Sequence, residues 1–273
     1  MVINILRALT YREIVWFKRF ASDYIVSWIL PLAFSLGVVF LPATISDINT
    51  VVSRMGSMFG HQMDLKTAYI LALSVTGIVN IVAITVNDVI QTIFSEFRFM
   101  EVGWMILETT ALTRYGIANA IVRPAIMTPL TTLYLAPILA YLDGLSGLTT
   151  FAILEVAFEV TAIALGFYAT AIALAITFYT RISRPWTIAN VLAPAILAGA
   201  GVYIPVNLVP AVLRLFAYTT PVPESCEIVY LIALKGVPVE FVWFMAIASF
   251  AITLYVAVSG LLSKSAEIRV RRG

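Results

Sequence analysis

Residues 68–94 read AYILALSVTGIVNIVAITVNDVIQTIF, an apolar run in which Asp88 is the only formally charged side chain. A helix needs about 20 such residues to cross the hydrocarbon core of a bilayer. A helix also satisfies its own backbone N–H and C=O groups, as a lipid environment requires. The stretch therefore predicts a transmembrane helix.

The rest of the chain repeats this pattern. Its 273 residues are 61% hydrophobic and 12% charged, with a mean hydropathy of +0.98, which lies outside the range of soluble domains. The runs lack the alternation of a lipid-facing barrel and exceed the roughly ten residues of a barrel strand. We expect one all-α integral membrane domain over residues 1–273 with six transmembrane helices. The predicted spans are 24–42, 68–94, 116–142, 149–178, 187–203 and 240–262.

The positions of Lys and Arg predict the orientation of these spans. With a cytoplasmic N-terminus, twelve of the seventeen basic residues fall on the cytoplasmic side, four on the other side and one, Arg123, inside a span. This positive-inside bias predicts that both termini are cytoplasmic. No cleavable signal is evident, and the Ala-, Ile- and Val-rich spans favour a multi-pass protein of a prokaryotic cell membrane.

Residues 1–23 predict an amphipathic helix on the inner leaflet. Its apolar side carries Leu9 and Trp16, among others, and its basic side carries Arg12. Glu13 falls within the apolar arc, so it is expected either to pair locally or to face protein rather than lipid. A general interfacial anchor is the alternative reading.

The sequence offers little to catalysis. His61 is its only His and Cys226 its only Cys, which excludes a Cys/His metal cluster and an intrachain disulfide. It has no P-loop or hydrolase motif, and no predicted cytoplasmic segment is long enough for a nucleotide-binding domain. We expect a chain that is not an enzyme, has no catalytic residue and holds no metal or cofactor, with any ATP and Mg²⁺ bound by a partner. No nucleic-acid partner is expected.

Residues 95–114, SEFRFMEVGWMILETTALTR, form a predicted cytoplasmic segment between the second and third spans. Glu101 and Glu108 are two helical turns apart and therefore share one face of a short helix. Such an acidic face with apolar neighbours suits a helix that docks into a groove of a partner protein. The alternative is an amphipathic loop resting on lipid.

Charged side chains within spans are costly unless they are paired, so they mark candidate sites. Asp88 and Arg123 lie at similar depth and are expected to pair, either as a structural link or as part of a gate. Glu155 and Glu159 stand one helical turn apart and repel each other. They would share a proton along a polar or cationic pathway, or simply reach water at the mouth of the fourth span.

The stretch after the fifth span, residues 204–239, is interrupted by prolines that include Pro205, Pro210 and Pro221. None of the resulting pieces is long enough to cross a bilayer. We expect an outer re-entrant hairpin that closes the outer end of a pathway. A loop on the lipid surface is the alternative.

Three of these stretches, taken in order, resemble the type-2 permease family of ATP-binding-cassette (ABC) transporters. The first is the N-terminal helix leading into the first span. The second is segment 95–114, whose matching residues are Glu101, Gly103, Glu108, Thr113 and Arg114. The third extends from Pro194 to Gly236, where the matching residues are Gly199, Gly201, Pro205, Pro210, Pro221, Glu224 and Gly236.

The resemblance implies a permease subunit of an exporter. Segment 95–114 would be the coupling segment that contacts a cytoplasmic ABC ATPase, through Glu101, Gly103, Glu108 and Arg114. Two permease chains, identical or different, would form the pathway with two ATPase subunits that bind ATP and Mg²⁺. Two other readings remain open: an ion-coupled secondary transporter that uses intramembrane carboxylates, and a membrane protein that assists assembly without transporting.

Overall fold

The computed structural model of the chain is helical, with no β-strand among the residues it describes. The described residues are 2–22, 26, 29, 33, 37, 44, 47–59, 62–100, 102–202, 206–235 and 238–272. Most of the predicted first span, 24–42, lies outside them.

Ten α-helices and one short 3-10 turn, Val206–Leu208, are assigned within the described residues. The helices in chain order are α1 (Val2–Arg19), α2 (Ile48–Phe59), α3 (Leu65–Arg98), α4 (Val102–Thr109), α5 (Leu112–Thr132), α6 (Leu135–Tyr179), α7 (Pro185–Gly199), α8 (Ala211–Ala217), α9 (Val222–Lys235) and α10 (Phe241–Arg272).

Three described helices are long and apolar enough to cross a bilayer: α3, α6 and the part of α10 from Phe241 to Arg269. The predicted spans 68–94 and 149–178 lie within α3 and α6, and the predicted span 240–262 coincides with α10 from its first residue, Phe241, onward. The most hydrophobic stretches of α3 and α6 are largely buried by other helices, whereas the most hydrophobic stretch of α10 is largely exposed. The chain therefore has the helices of a membrane protein, and α10 presents much of its apolar surface to the surroundings.

The start of α3 is fixed by a side-chain cap. Asp64 accepts a hydrogen bond from the backbone N–H of Thr67 at 2.8 Å, which satisfies one of the free donors at the helix N-terminus. Hydrogen bonds from the side chain and backbone of Thr67 hold the pKa of Asp64 below its ordinary value. The first turn of α3 is thus stabilised by an ionised carboxylate.

The predicted span 116–142 is divided between α5 and the start of α6. Pro137 has no N–H to donate to the carbonyl of Leu133, which accepts instead from Ala136 at 3.2 Å. Leu133 and Tyr134 keep helical backbone angles, so the chain continues in the same general direction through the irregularity. The helical path then breaks at Gly144, whose φ is +59°.

Helix α6 is central to the bundle and packs against α3, α5 and α10. Gly166 lets α6 approach α5 closely, because a Cβ at this position would collide with the carbonyl oxygen of Ala120 and the ring of Pro124. Small residues of this kind allow helix backbones in membranes to pack tightly.

The predicted span 187–203 corresponds to α7, which is shorter than expected. Its 15 residues extend about 22 Å, less than the roughly 30 Å of a bilayer's hydrocarbon core. The following residues form two short helices: α8 packs on α7, while α9 packs against α3 and α6.

Candidate functional site

A group of charged side chains lies where α1, α3 and α5 meet, and we call it the charge cluster. Its members are Arg12 and Glu13 of α1, Asp88 and Glu96 of α3, and Arg123 of α5. Helix α1 reaches this position because it packs along α5.

Arg123 connects two helices to α5. Its Nη2 atom lies 3.0 Å from Oδ2 of Asp88 and its Nη1 atom lies 3.3 Å from Oε1 of Glu13. The pair expected between Asp88 and Arg123 is therefore present. The structure adds Glu13, which is only 1% exposed, as a second partner on α1.

Arg12 forms the other half of the charge cluster. Its Nε and Nη2 atoms donate to Oε1 of Glu13 at 3.1 and 2.8 Å, and Nη2 also donates to Oδ1 of Asn119 at 3.0 Å. Its Nη1 atom pairs with Glu96. All three guanidinium nitrogens of Arg12 are thus engaged by side chains of α1, α3 and α5.

Sequence reasoning found only part of this cluster. The helical pattern of α1 assigns Arg12 to the basic face, but the structure turns Arg12 toward the bundle because Glu96 and Asn119 accept its hydrogen bonds. Glu13 fits the expectation that it pairs locally and faces protein. The position of Glu13 among apolar residues indicated that it faces protein. By contrast, no residue near Glu96 in the sequence indicated that Glu96 pairs with Arg12.

The amphipathic face of α1 is also divided in the structure. Leu9 is buried in the core, with Ile5 and Leu6 packed against it. Trp16 and Phe20, by contrast, keep more than two fifths of their surface exposed. One end of α1 therefore belongs to the bundle, and the other end presents aromatic rings of the kind found at membrane interfaces.

The charges of the cluster do not balance. Two guanidinium groups face three carboxyl groups, so the cluster holds one more acidic group than basic groups. Glu13 and Glu96 each retain one buried oxygen, Oε2, that lacks a hydrogen-bond partner within the described part of the chain. Removing one partner from a buried ion pair is strongly destabilising, so the cluster ties α1 firmly to α3 and α5.

Segment 95–114, predicted to couple the chain to an ATPase, contains the short helix α4 between the ends of α3 and α5. Glu101 lies outside the described residues. Gly103 is buried against the ring of Phe97, with which a Cβ would collide. Close packing at Gly103 therefore seats α4 on the end of α3.

The outer surface of α4 is partly apolar. Trp104 is 42% and Met105 68% exposed, and Glu108 is also exposed. Beside them is a cavity of about 480 Å³ lined by residues of α4, by the two residues that follow it and by Glu267 of α10. Glu267 accepts a hydrogen bond from the backbone N–H of Leu112 and so secures the start of α5. Arg114 is exposed in the first turn of α5.

Glu155 and Glu159 are half-buried on α6 beside the threonines of α5. The hydroxyl of Thr132 donates to Oε2 of Glu155 at 2.7 Å, and Thr128 lies near Glu159. Neither carboxylate forms an ion pair with a described residue. The two glutamates thus lie in a polar seam between α5 and α6.

The residues predicted to form a re-entrant hairpin take distinct positions. Gly201 has a φ of +77° just after α7, and Tyr230 of α9 donates its hydroxyl to backbone carbonyls at this turn, 2.7 Å from that of Val202. Pro210 precedes α8 and Pro221 precedes α9, where Glu224 is half-buried in the first turn. Pro205 lies outside the described residues.

No family model, curated protein or solved structure matches the chain. The resemblance to type-2 ABC permeases therefore rests on the order and spacing of its motifs alone. In the described ranges, no three His, Cys, Asp or Glu side chains are grouped so as to hold a metal ion. His61 lies outside those ranges, and Cys226 is a buried free thiol.

Proposed function

We propose that this chain is the membrane-spanning permease subunit of an ABC exporter and is driven by ATPase subunits on separate polypeptides. The observation that carries the proposal is α4, a short helix that is held on the bundle yet leaves Trp104, Met105 and Glu108 exposed. A helix with an apolar and acidic surface of this kind suits a groove on a partner protein.

The connections of α4 support a mechanical role. Three residues separate it from α3 and two separate it from α5. A displacement of α4 must therefore also move the ends of both helices. In the proposed mechanism, closure of the ATPases on ATP pushes α4, and the displacement opens a route between two permease chains.

The complete topology belongs to the same proposal. It has six spans, both termini in the cytoplasm of a prokaryotic cell, and residues 204–239 as a re-entrant hairpin at the outer side. The continuous path from α5 into the start of α6 supports a third span over 116–142, and α7 supports a short fifth one. The packing of α9 against α3 and α6 favours a hairpin that inserts between spans over a loop on the lipid surface.

Purification from the source cells tests the proposal directly. A tagged chain should copurify with a P-loop ATPase, and transport-coupled ATP hydrolysis in proteoliposomes should fall roughly tenfold in Glu108→Arg, because a reversed charge opposes docking. Glu240→Arg, a reversal at an exposed glutamate before α10, is the matched control and should change hydrolysis little. Wild-type hydrolysis by Glu108→Arg and by the corresponding Glu101→Arg would remove the coupling assignment.

The half-buried Glu155 and Glu159 favour one rival, an ion-coupled secondary transporter. In that mechanism, transport would follow the proton gradient without ATP and would stop when both residues are replaced by Gln. The pairing of Asp88 with Arg123 weakens the rival, since a carboxylate held in an ion pair is a poor proton carrier. A chain that copurifies with no ATPase and transports nothing would instead be an assembly partner.

A further inference from the structure

A second cavity of about 480 Å³ lies between α1 and α4, next to the charge cluster. Its size is within the range of small-molecule sites, about 300–1,000 Å³. Apolar side chains form much of its wall, including Ile5, Leu9 and Ile106. Arg12 and Glu96 supply charge to the same wall.

Two polar groups of this cavity lack partners. Glu96 is 8% exposed and Thr110 is 9% exposed, and both line the cavity. Oε2 of Glu96 and Oγ1 of Thr110 are buried without a hydrogen-bond partner in the part of the chain that the structure describes. Such groups are costly to leave unsatisfied, and each can accept a hydrogen bond from a bound molecule.

The charge balance specifies the ligand further. All three nitrogens of Arg12 are bound to Glu13, Glu96 and Asn119, so its charge is already neutralised on the cluster side. The cluster holds one more carboxylate than guanidinium, and Glu96 is the member that both lines the cavity and keeps a carboxylate oxygen without a hydrogen-bond partner among the described residues. A cation that donates hydrogen bonds would supply the missing partner.

We propose that this cavity binds an amphiphile with a primary ammonium group and an apolar body. The ammonium would donate to Glu96 and Thr110, while the body would lie against Ile5, Leu9 and Ile106. Two sources share this chemistry: a free amphiphilic amine and the head group of an aminophospholipid. The inference is separate from the proposed export function, because binding is measured on this chain alone and without ATP.

The test uses the full chain in phosphatidylcholine nanodiscs, whose trimethylammonium head groups carry no N–H. Octylammonium is titrated by calorimetry, with empty nanodiscs as the blank. We expect one saturable site per chain, and binding at least tenfold weaker for octyltrimethylammonium, which has the same charge but no N–H donor. Equal affinity for the two cations, or no saturable binding, would overturn the proposal.

Two variants locate the site. Glu96→Gln should weaken octylammonium binding at least tenfold, and Ala8→Phe should do so by filling the cavity without altering the charge cluster. Glu240→Gln, outside the cavity, should bind like the wild type. Wild-type affinity in Ala8→Phe would overturn the proposal even if Glu96→Gln proved too unstable to purify, because Ala8→Phe removes the space the ligand needs.

Replacing part of the phosphatidylcholine by phosphatidylethanolamine distinguishes the two sources. Competition that weakens octylammonium binding assigns the site to a lipid head group. Unchanged binding assigns it to a free amine. The same comparison in Ala8→Phe shows whether any competition arises at this cavity.

Discussion

Replacement of Arg123 by Met tests whether the charge cluster holds the bundle together. The variant keeps an unbranched side chain of similar length but leaves Asp88 without its ion-pair partner on α5 and Glu13 with Arg12 alone. Breaking a buried ion pair costs about 3–5 kcal/mol. Because Asp88 is 37% exposed and Glu13 keeps one partner, we expect a loss near the lower end, about 3 kcal/mol.

The assay is equilibrium unfolding in mixed micelles of a mild detergent and SDS, read by circular dichroism and tryptophan fluorescence. Lys66→Met is the matched control, since it breaks the exposed pair of Lys66 with Asp143, which is worth at most about 1 kcal/mol. Adding Asp88→Asn to Arg123→Met should recover roughly 1 kcal/mol, because the unpaired charge is then removed. If Lys66→Met destabilises the chain as much as Arg123→Met, or if the double variant recovers nothing, the reasoning fails.

Three further predictions address other contacts of the bundle. Gly166→Val should cost about 3 kcal/mol in the same assay, because α6 must move away from the carbonyl of Ala120, and unchanged stability would contradict the close packing. Thr132→Val should cost about 1.5 kcal/mol by removing the hydrogen bond to Glu155, while Thr132→Ser should keep most of it. The Asp64 cap should stabilise the start of α3 fully above pH 3.8. This stabilisation should be lost as the pH falls from 3.8 through the lowered pKa of Asp64 in the folded state. The protection factors of amides at the start of α3 should therefore fall in acid in the wild type but not in Asp64→Asn, whose amide still caps; an equal fall in both would contradict the cap.

The sequence predicted the membrane helices best where a single run of apolar residues forms a single helix. Residues 68–94 and 149–178 lie inside α3 and α6 because nothing in those runs interrupts the backbone bonding. Prediction was weaker at 116–142. There, the missing N–H of Pro137 interrupts the regular helical bonding at Leu133, and the helical path breaks at Gly144.

The part of the candidate site that could be predicted is the contact between two residues at the same depth in the membrane. Asp88 and Arg123 could be paired from their distances to the ends of adjacent spans, and the structure joins them. The pairing of Arg12 with Glu96 could not be predicted in this way, since it depends on how α1 docks against α3 and α5. An amphipathic pattern specifies which side of a helix is apolar, but it does not say whether lipid or protein covers that side.

The position of the charge cluster adds a constraint to the proposed mechanism. Helix α4 is joined to α3 and α5 by three and two residues, and the cluster ties α1 to these same two helices. A displacement of α4 that moved α3 and α5 apart would have to break buried ion pairs, at a cost of several kcal/mol. A displacement that moved α1, α3 and α5 together would keep them. The second motion is therefore strongly favoured, and a partner that pushes α4 would shift α1, α3 and α5 as one unit against the rest of the bundle.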